Sequence, residues 1–273
     1  MTFKAGLIFL TLLIGSNALP IEEPEQDMSI FFDHTDTESR IVGGSTAGAT
    51  PFMVALTQGA TVRGFTCGGS LFTTRRVLTA AHCITGFNMN NGRIIVGTLR
   101  WNTGGVMHAL SSRIVHPSYN ANTIKNDIGI LVTSTVVALN NAVRLVAMNY
   151  NWVGAGVQTR VTGWGRVAAG GSLSQNLLVL DKSTIDGNRC VADVARRGRE
   201  LNVRVPAVNP NLEICTFHSN GRGTCNGDSG SPLMRRDNGQ QIGIVSWGIP
   251  CARNAPDMFV RISAFQTWIR QNS

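Results

Sequence analysis

Cys225-Asn226-Gly227-Asp228-Ser229-Gly230-Ser231-Pro232 decides how the rest of the chain is read. A serine hydroxyl is a weak nucleophile at neutral pH, so a reactive serine needs a base, donors for the oxyanion and a rigid turn. Gly227 and Gly230 beside Ser229 permit tight backbone geometry and let amide N–H groups converge on one point. Asp228 places a carboxylate next to the hydroxyl, and a buried carboxylate needs a partner. Taken alone, the stretch reads equally as a glycine-rich β-turn. What else the chain holds decides between them.

Working outward, Leu78-Thr79-Ala80-Ala81-His82-Cys83 supplies a histidine among small apolar residues, and Asn126-Asp127-Ile128-Gly129-Ile130-Leu131 a carboxylate heading an apolar run. No Asp or Glu occurs from Ile41 through Asn126, so Asp127 is the first carboxylate after residue 40. Ile41-Val42-Gly43-Gly44 follows Arg40, and Ser246-Trp247-Gly248 follows the serine. The chain order His82, Asp127, Ser229 is that of chymotrypsin. On these motifs residues 41–273 resemble the trypsin-like serine peptidases of the chymotrypsin fold. Among these they look most like insect digestive chymotrypsins and brachyurin-type collagenolytic relatives.

The resemblance implies an all-β protein of two packed six-stranded antiparallel β-barrels with a C-terminal α-helix. The N-terminal barrel would cover about 41–148, and the C-terminal barrel and helix about 149–273. It implies a serine endopeptidase needing no cofactor. His82, Asp127 and Ser229 would be catalytic, with the N–H groups of Gly227 and Ser229 as oxyanion hole, worth about 3 kcal/mol per donor. Ser246-Trp247-Gly248 would pair with the substrate backbone as an added strand. A cut at Arg40–Ile41 by a trypsin-like protease would free the Ile41 amine to pair with Asp228. Protein or peptide substrates and protein protease inhibitors are the implied partners, and a monomer the implied state.

The 273-residue chain is 43% hydrophobic, enough for a large core. Residues 1–18 read as a secretory signal: Lys4, an apolar run from Leu7 to Ile14 too short to span a bilayer, then Ser16-Asn17-Ala18. Residues 19–40 hold seven acids against Arg40 alone, with Pro20 and Pro24, a composition that does not fold by itself. They read as an activation propeptide. Removing residues 1–40 leaves 22 bases against nine acids, so the net charge rises from +8 to +13. No Lys/Arg run with interleaved aromatics accompanies that charge, which argues against nucleic acid. No later stretch reaches transmembrane length, so no membrane partner is expected.

After residue 40 there are 20 Arg but only two Lys, Lys125 and Lys182. Guanidinium stays charged where an ammonium, half neutral near pH ~10.4, does not. The expected setting is therefore secreted and extracellular, an alkaline gut lumen such as an insect larval midgut.

Short β-branched runs between Gly/Asn/Pro turns predict strands. These cover Phe52–Thr57, Gly69–Thr73, Val77–Thr79, Arg93–Val96 and Ile128–Val132. They continue over Gln158–Gly163, Leu177–Ser183, Glu213–Phe217, Gln241–Ser246 and Met258–Ile262. Only the end reads helical, with Ser263 as cap and Ile262, Phe265, Trp268 and Ile269 on one face. All six cysteines follow residue 40, an even number that predicts disulfides in an exported chain. Of the fifteen pairings that six cysteines allow, the resemblance implies Cys67–Cys83, Cys190–Cys215 and Cys225–Cys251. No metal site is expected. Zinc spacing is absent, and Thr85–Asn126 offers no carboxylate for calcium. His108, His116 and His218 read as ordinary surface or strand histidines, and Trp164 as packing.

Specificity is where the chain departs from its relatives. Trypsins carry an aspartate six residues before the nucleophile; here that position is Gly223, next to Thr224 in the pocket wall. Gly248 leaves the pocket mouth open, so large apolar side chains are expected at P1. Where relatives have Pro-Gly, this chain has Pro256-Asp257. Asp257 is either turned to solvent or faces the pocket, where it would add secondary cleavage after Arg or Lys. A catalytically inactive homologue and a regulatory cascade protease are the alternatives. Intact His82, Asp127 and Ser229 speak against the first, and the short 19–40 segment against the second.

Overall fold

The computed structural model describes residue 31 and residues 44–59, 63–166, 171–249 and 251–273. The predicted signal segment and the Arg40–Ile41 junction lie outside them. After β1 (Ser45–Thr46), six strands close into a barrel: β2 (Met53–Gln58), β3 (Gly64–Thr73), β4 (Arg76–Thr79), β5 (Gly92–Val96), β6 (Val106–Val115) and β7 (Gly129–Thr133). Their order around it is β2-β3-β4-β7-β6-β5, all antiparallel. β2 shows why its sequence lacks polar alternation. Val54 and Leu56 join the barrel core, while Met53 and Ala55 face Trp164 and Leu177 of the other half. A strand buried on both faces reads as a continuous apolar run.

The second half closes the same way with β8 (Gln158–Gly163), β9 (Leu178–Thr184), β10 (Glu213–Phe217), β11 (Pro232–Arg235), β12 (Gln241–Gly248) and β13 (Asp257–Arg261). The order β9-β10-β13-β12-β11-β8 returns to β9 through the β8–β9 pairing. β1 adds to the start of β9, Ser45 opposite Val179, and so ties the beginning of the chain to the far barrel. The fold is thus two closed six-stranded antiparallel barrels. Two barrel strands absent from the sequence reading, β6 and β11, are now seen, as is the two-residue β1. β6 is largely exposed, with Ser111 and Ser112 in its middle, and β11 is four residues long and starts at a proline.

Three helices complete the chain. The short α1 (Ala81–Thr85) carries His82. α2 (Gly187–Glu200) corrects the expectation that only the end is helical. Asp186 caps it, its Oδ1 accepting from the N–H groups of Asn188 and Arg189 at 2.9 and 3.0 Å. Only Cys190, Val194 and Gly198 are buried, a stripe one residue wide, while Val191, Ala192 and Ala195 lie outside it among charged neighbours. α3 (Gln266–Gln271) follows a 3-10 turn over Ile262–Phe265. Ser263 does not cap it: the turn already begins at Ile262, which places Ser263 inside rather than ahead of it. Ile262, Phe265 and Ile269 pack with residues of both barrels, including Leu71 and Val260.

The barrels touch across the line on which the motifs lie. Ser70 Oγ donates to Gln241 Oε1 at 2.7 Å, and the Gly68 N–H donates to the Ser229 carbonyl at 2.8 Å. The disulfides are Cys67–Cys83, Cys190–Cys215 and Cys225–Cys251. The first joins β3 to α1, the second α2 to β10.

Candidate active site

His82 follows β4 and Asp127 precedes β7 at the same end of this antiparallel pair, where Thr79 lies opposite Gly129. Asp127 is 1% exposed. Its Oδ1 accepts the His82 backbone N–H at 2.9 Å and its Oδ2 faces His82 Nδ1 at 2.7 Å. Ser246 Oγ donates to the same Oδ2 at 2.6 Å, so β12 of the second barrel reaches over to complete the carboxylate's shell. Burial pushes the Asp127 carboxyl up. The His82 charge and the hydrogen bonds from His82 and Ser246 outweigh that push and hold it below the usual carboxylate range. A charged Asp127 favours the tautomer with the proton on His82 Nδ1, and Nε2 lies 3.7 Å from Cys83 Sγ.

The Ser229 loop is built around glycines. Gly227 and Gly230 have φ of +92° and +79°, a region that side chains rarely enter. A Cβ on Gly230 would run into Thr79 Oγ1 and the Gly68 carbonyl. Between them, Asp228 is wholly buried and turned away from Ser229. Its Oδ1 accepts from the Gly165 N–H at 2.9 Å and its Oδ2 from the Cys225 N–H at 3.0 Å. Burial pushes this carboxyl up to about 7, against those two N–H groups and the charge of Lys182. Such a group is poised for a cationic partner.

Ser229 lines a pocket with Thr224, Cys225, Asn226, Val245, Ser246, Trp247 and Gly248. Behind its wall, Gly223 has no side chain, and a Cβ there would sit 3.1 Å from Asp257 Oδ2. Asp257 is 3% exposed, which removes the solvent-facing alternative. Its Oδ2 accepts from the Thr224 N–H at 2.9 Å and is paired with Lys182 Nζ, an ammonium brought in from β9. Burial pushes the Lys182 ammonium down, opposed by the charge of Asp228. Its direct contact with Asp257 makes the two an ion pair.

The opposite wall is Trp247. Its indole N–H donates to Glu213 Oε1 at 2.6 Å, and the same oxygen accepts from Lys125 Nζ at 3.0 Å. Lys125 thereby links the segment leading into Asp127 to Trp247. Phe31, from the acidic N-terminal segment, packs edge-on against Trp247 with ring centroids 5.9 Å apart and lines the same pocket.

The structure brings together His82, Asp127 and Ser246, and separately Ser229, Thr224, Trp247 and Gly248 around one pocket. Gly223 and Asp257 lie next to each other behind Thr224, whose N–H donates to Asp257 Oδ2. Arg40 and Ile41 lie outside the described residues. The sequence reading missed Lys182, Glu213 and Phe31. A usable signal for the first was present: Lys182 is one of only two lysines after residue 40. Cys67, His82 and Cys83 bring potential metal ligands within 4.8 Å of one another, but both cysteines are disulfide-bonded and offer no thiolate. No described helix is long and apolar enough to cross a membrane. Trp164 is wholly buried, its N–H donating to the Leu99 carbonyl at 3.1 Å.

Comparison with known proteins agrees with this geometry. The family described as Trypsin matches residues 41–269. "Trypsin, alkaline B" of Manduca sexta is 38% identical over 244 residues, covering 86% of this chain and 91% of its own length. "Chymotrypsin-2" of Vespa crabro is 34% identical over 235 residues, covering 85% and 99%. "Trypsin alpha-4" of Lucilia cuprina is 29% identical over 235 residues, covering 85% and 87%. With the family matched across almost everything after residue 40, and a buried Asp–His pair beside a glycine-framed serine, this chain belongs to the trypsin family of serine endopeptidases.

Proposed function

We propose that the chain is a secreted, digestive endopeptidase, made as a zymogen and cleaving after large apolar residues. The observation that carries the specificity is the pocket floor. Gly223 brings no charge there, and the carboxylate packed beside it, Asp257, already has Lys182 as partner. A basic P1 side chain would therefore meet no free counter-charge, and secondary cleavage after Arg or Lys drops out of the proposal. Phe31 against Trp247 supports an aromatic occupant of the cleft.

In this mechanism Ser229 Oγ attacks the scissile carbonyl while His82 Nε2 takes its proton. Asp127 holds the imidazolium through Nδ1–H. The N–H groups of Gly227 and Ser229 receive the oxyanion. His82 passes its proton to the leaving amine, and water then resolves the acyl-enzyme by the same steps. Cutting Arg40–Ile41 supplies the amine that neutralises Asp228.

The alkaline setting gains support from where the lysines lie. Lys125 and Lys182, the only two among the described residues, both sit in ion pairs, with side chains 16% and 1% exposed. The surface cations are left to arginine.

A P1 profile of the trypsin-treated protein on a peptide library tests the reading. Phe, Tyr and Leu should exceed Arg and Lys in kcat/KM by at least about a hundredfold, the size of a lost charge contact. Preferential cleavage after Arg would overturn it.

A further inference from the structure

The chain uses an unusual device at the floor of its pocket. The carboxylate of Asp257 is packed against Gly223, its Oδ2 3.1 Å from where a Cβ on that glycine would stand. One of its oxygens, Oδ2, is engaged by the Thr224 N–H and Lys182 Nζ. The other, Oδ1, lies 3.4 Å from where a Cβ on Gly248 would stand, on the pocket side. Lys182 reaches this place from the barrel interior, its side chain 1% exposed and its Nζ 5.8 Å from the centroid of Phe259. Among the described residues, Asp257 is its only salt-bridge partner.

A lone carboxylate so placed would attract a basic side chain, and a lone ammonium an acidic one. Together they present a dipole with almost no net charge. We propose that Lys182 is a specificity-determining residue: by pairing with Asp257 beneath the pocket, it masks a latent basic-P1 site and leaves the floor neutral for apolar side chains. This rests on the assignment of that pocket as the P1 site made above. Position 182 is remote in sequence from the walls that ordinarily set specificity, and it acts through Asp257 rather than by touching substrate.

The logic predicts opposite consequences for removing one charge and for removing both. Four activated proteins are compared on peptide substrates differing only at P1 (Phe, Leu, Arg, Lys, Glu), with benzamidine as a cationic probe of the floor. In Lys182→Met, the Asp257 carboxylate loses its partner. Arg and Lys kcat/KM should rise at least tenfold over wild type, and the benzamidine Ki should fall at least tenfold. In Asp257→Asn, the uncompensated ammonium should lower Arg cleavage further and raise Glu cleavage at least tenfold. The double variant Lys182→Met/Asp257→Asn has a neutral floor of similar volume. Relative to Phe, it should show neither the Arg/Lys gain nor the Glu gain of the single variants, which a mere packing role for Lys182 does not predict.

If Lys182→Met does not fold, the Asp257→Asn and double variants still decide the matter through the ratio of Glu to Phe cleavage, raised in the first and not in the second. Unchanged P1 charge preference in both single variants, with wild type preferring Phe, overturns the role of Lys182 and leaves the apolar pocket standing. A wild type that already prefers Arg and binds benzamidine tightly overturns the apolar-pocket reading itself.

Discussion

Gly165→Ala tests whether Asp228 couples the two barrels' contacts to the reactive serine. A Cβ at Gly165 would lie 2.6 Å from either carboxylate oxygen of Asp228. Asp228 has nowhere to go: a Cβ on Gly163 would clash with it from the other side, so the two glycines form a cradle with no slack. The carboxylate must give up the Gly165 N–H bond at 2.9 Å and strain the Cys225 N–H bond at 3.0 Å. One hydrogen bond to a charged group contributes about 1.5–3 kcal/mol, or about ten- to a hundredfold in the population of the working loop. Asp228 lies between Gly227 and Ser229, so moving it also misplaces an oxyanion donor, a further loss of about 10²–10³. The expected fall in kcat/KM is thus about 10³–10⁵, measured on the activated protein with a Phe-P1 substrate and checked by burst titration of Ser229. Gly154→Ala, where an added Cβ meets nothing within 4 Å, is the control and should be silent. Thermal melting separates loop displacement from unfolding. A folded Gly165→Ala variant within about threefold of wild type would refute the reasoning.

Three further outcomes are expected. In an uncut Arg40→Gln protein, Asp228 titrates at about 7 when folded. A carboxyl raised on folding stabilises the fold below its unfolded value near ~4 and withdraws that stability as pH climbs through 7. Urea midpoints of the uncut protein should therefore drop across pH 4–7 relative to the cut one, by on the order of 4 kcal/mol; parallel curves would remove the proposed amine partner. Phe31→Ala in the same uncut background forfeits the contact with Trp247, worth about 1.5–3 kcal/mol. Fluorophosphonate labelling of Ser229 should speed up about tenfold or more, with no change in the cut enzyme; an equal effect in both, or none, excludes a covering role. With its surface cations left to arginine, the activated protein should hold fold and activity to about pH 10–11, and inactivation already at pH 9 without autolysis would end the alkaline reading.

Much of this molecule is written locally. Strands such as Gln158–Gly163 and Glu213–Phe217 announce themselves by β-branched runs between turn residues, and they stand where the sequence places them. The His82, Asp127 and Ser229 motifs are short and ordered, because the chemistry demands particular residue types with small neighbours. Elements whose signal is weak escaped. α2 buries only every fourth residue, Cys190, Val194 and Gly198, while Val191, Ala192 and Ala195 off that stripe blur the helical period; Asp186 as cap was the readable clue. β6, mostly facing solvent, has no apolar alternation to detect.

What a linear reading could not supply is partnership between distant residues. Nothing local distinguishes Lys182 from any other lysine in a strand, or tells whether Asp257, 75 residues later, faces water or the interior. Closure of the second barrel brings β9 and β13 together around the same interior and places the ammonium on the carboxylate. The same holds for Ser246, whose hydroxyl meets Asp127 across 119 residues and the boundary between barrels. Residue types and local pattern determine which groups are available and which backbone they ride on. The pairing of buried charges depends on desolvation and Coulomb attraction over a few ångströms, distances that exist only once both barrels have closed.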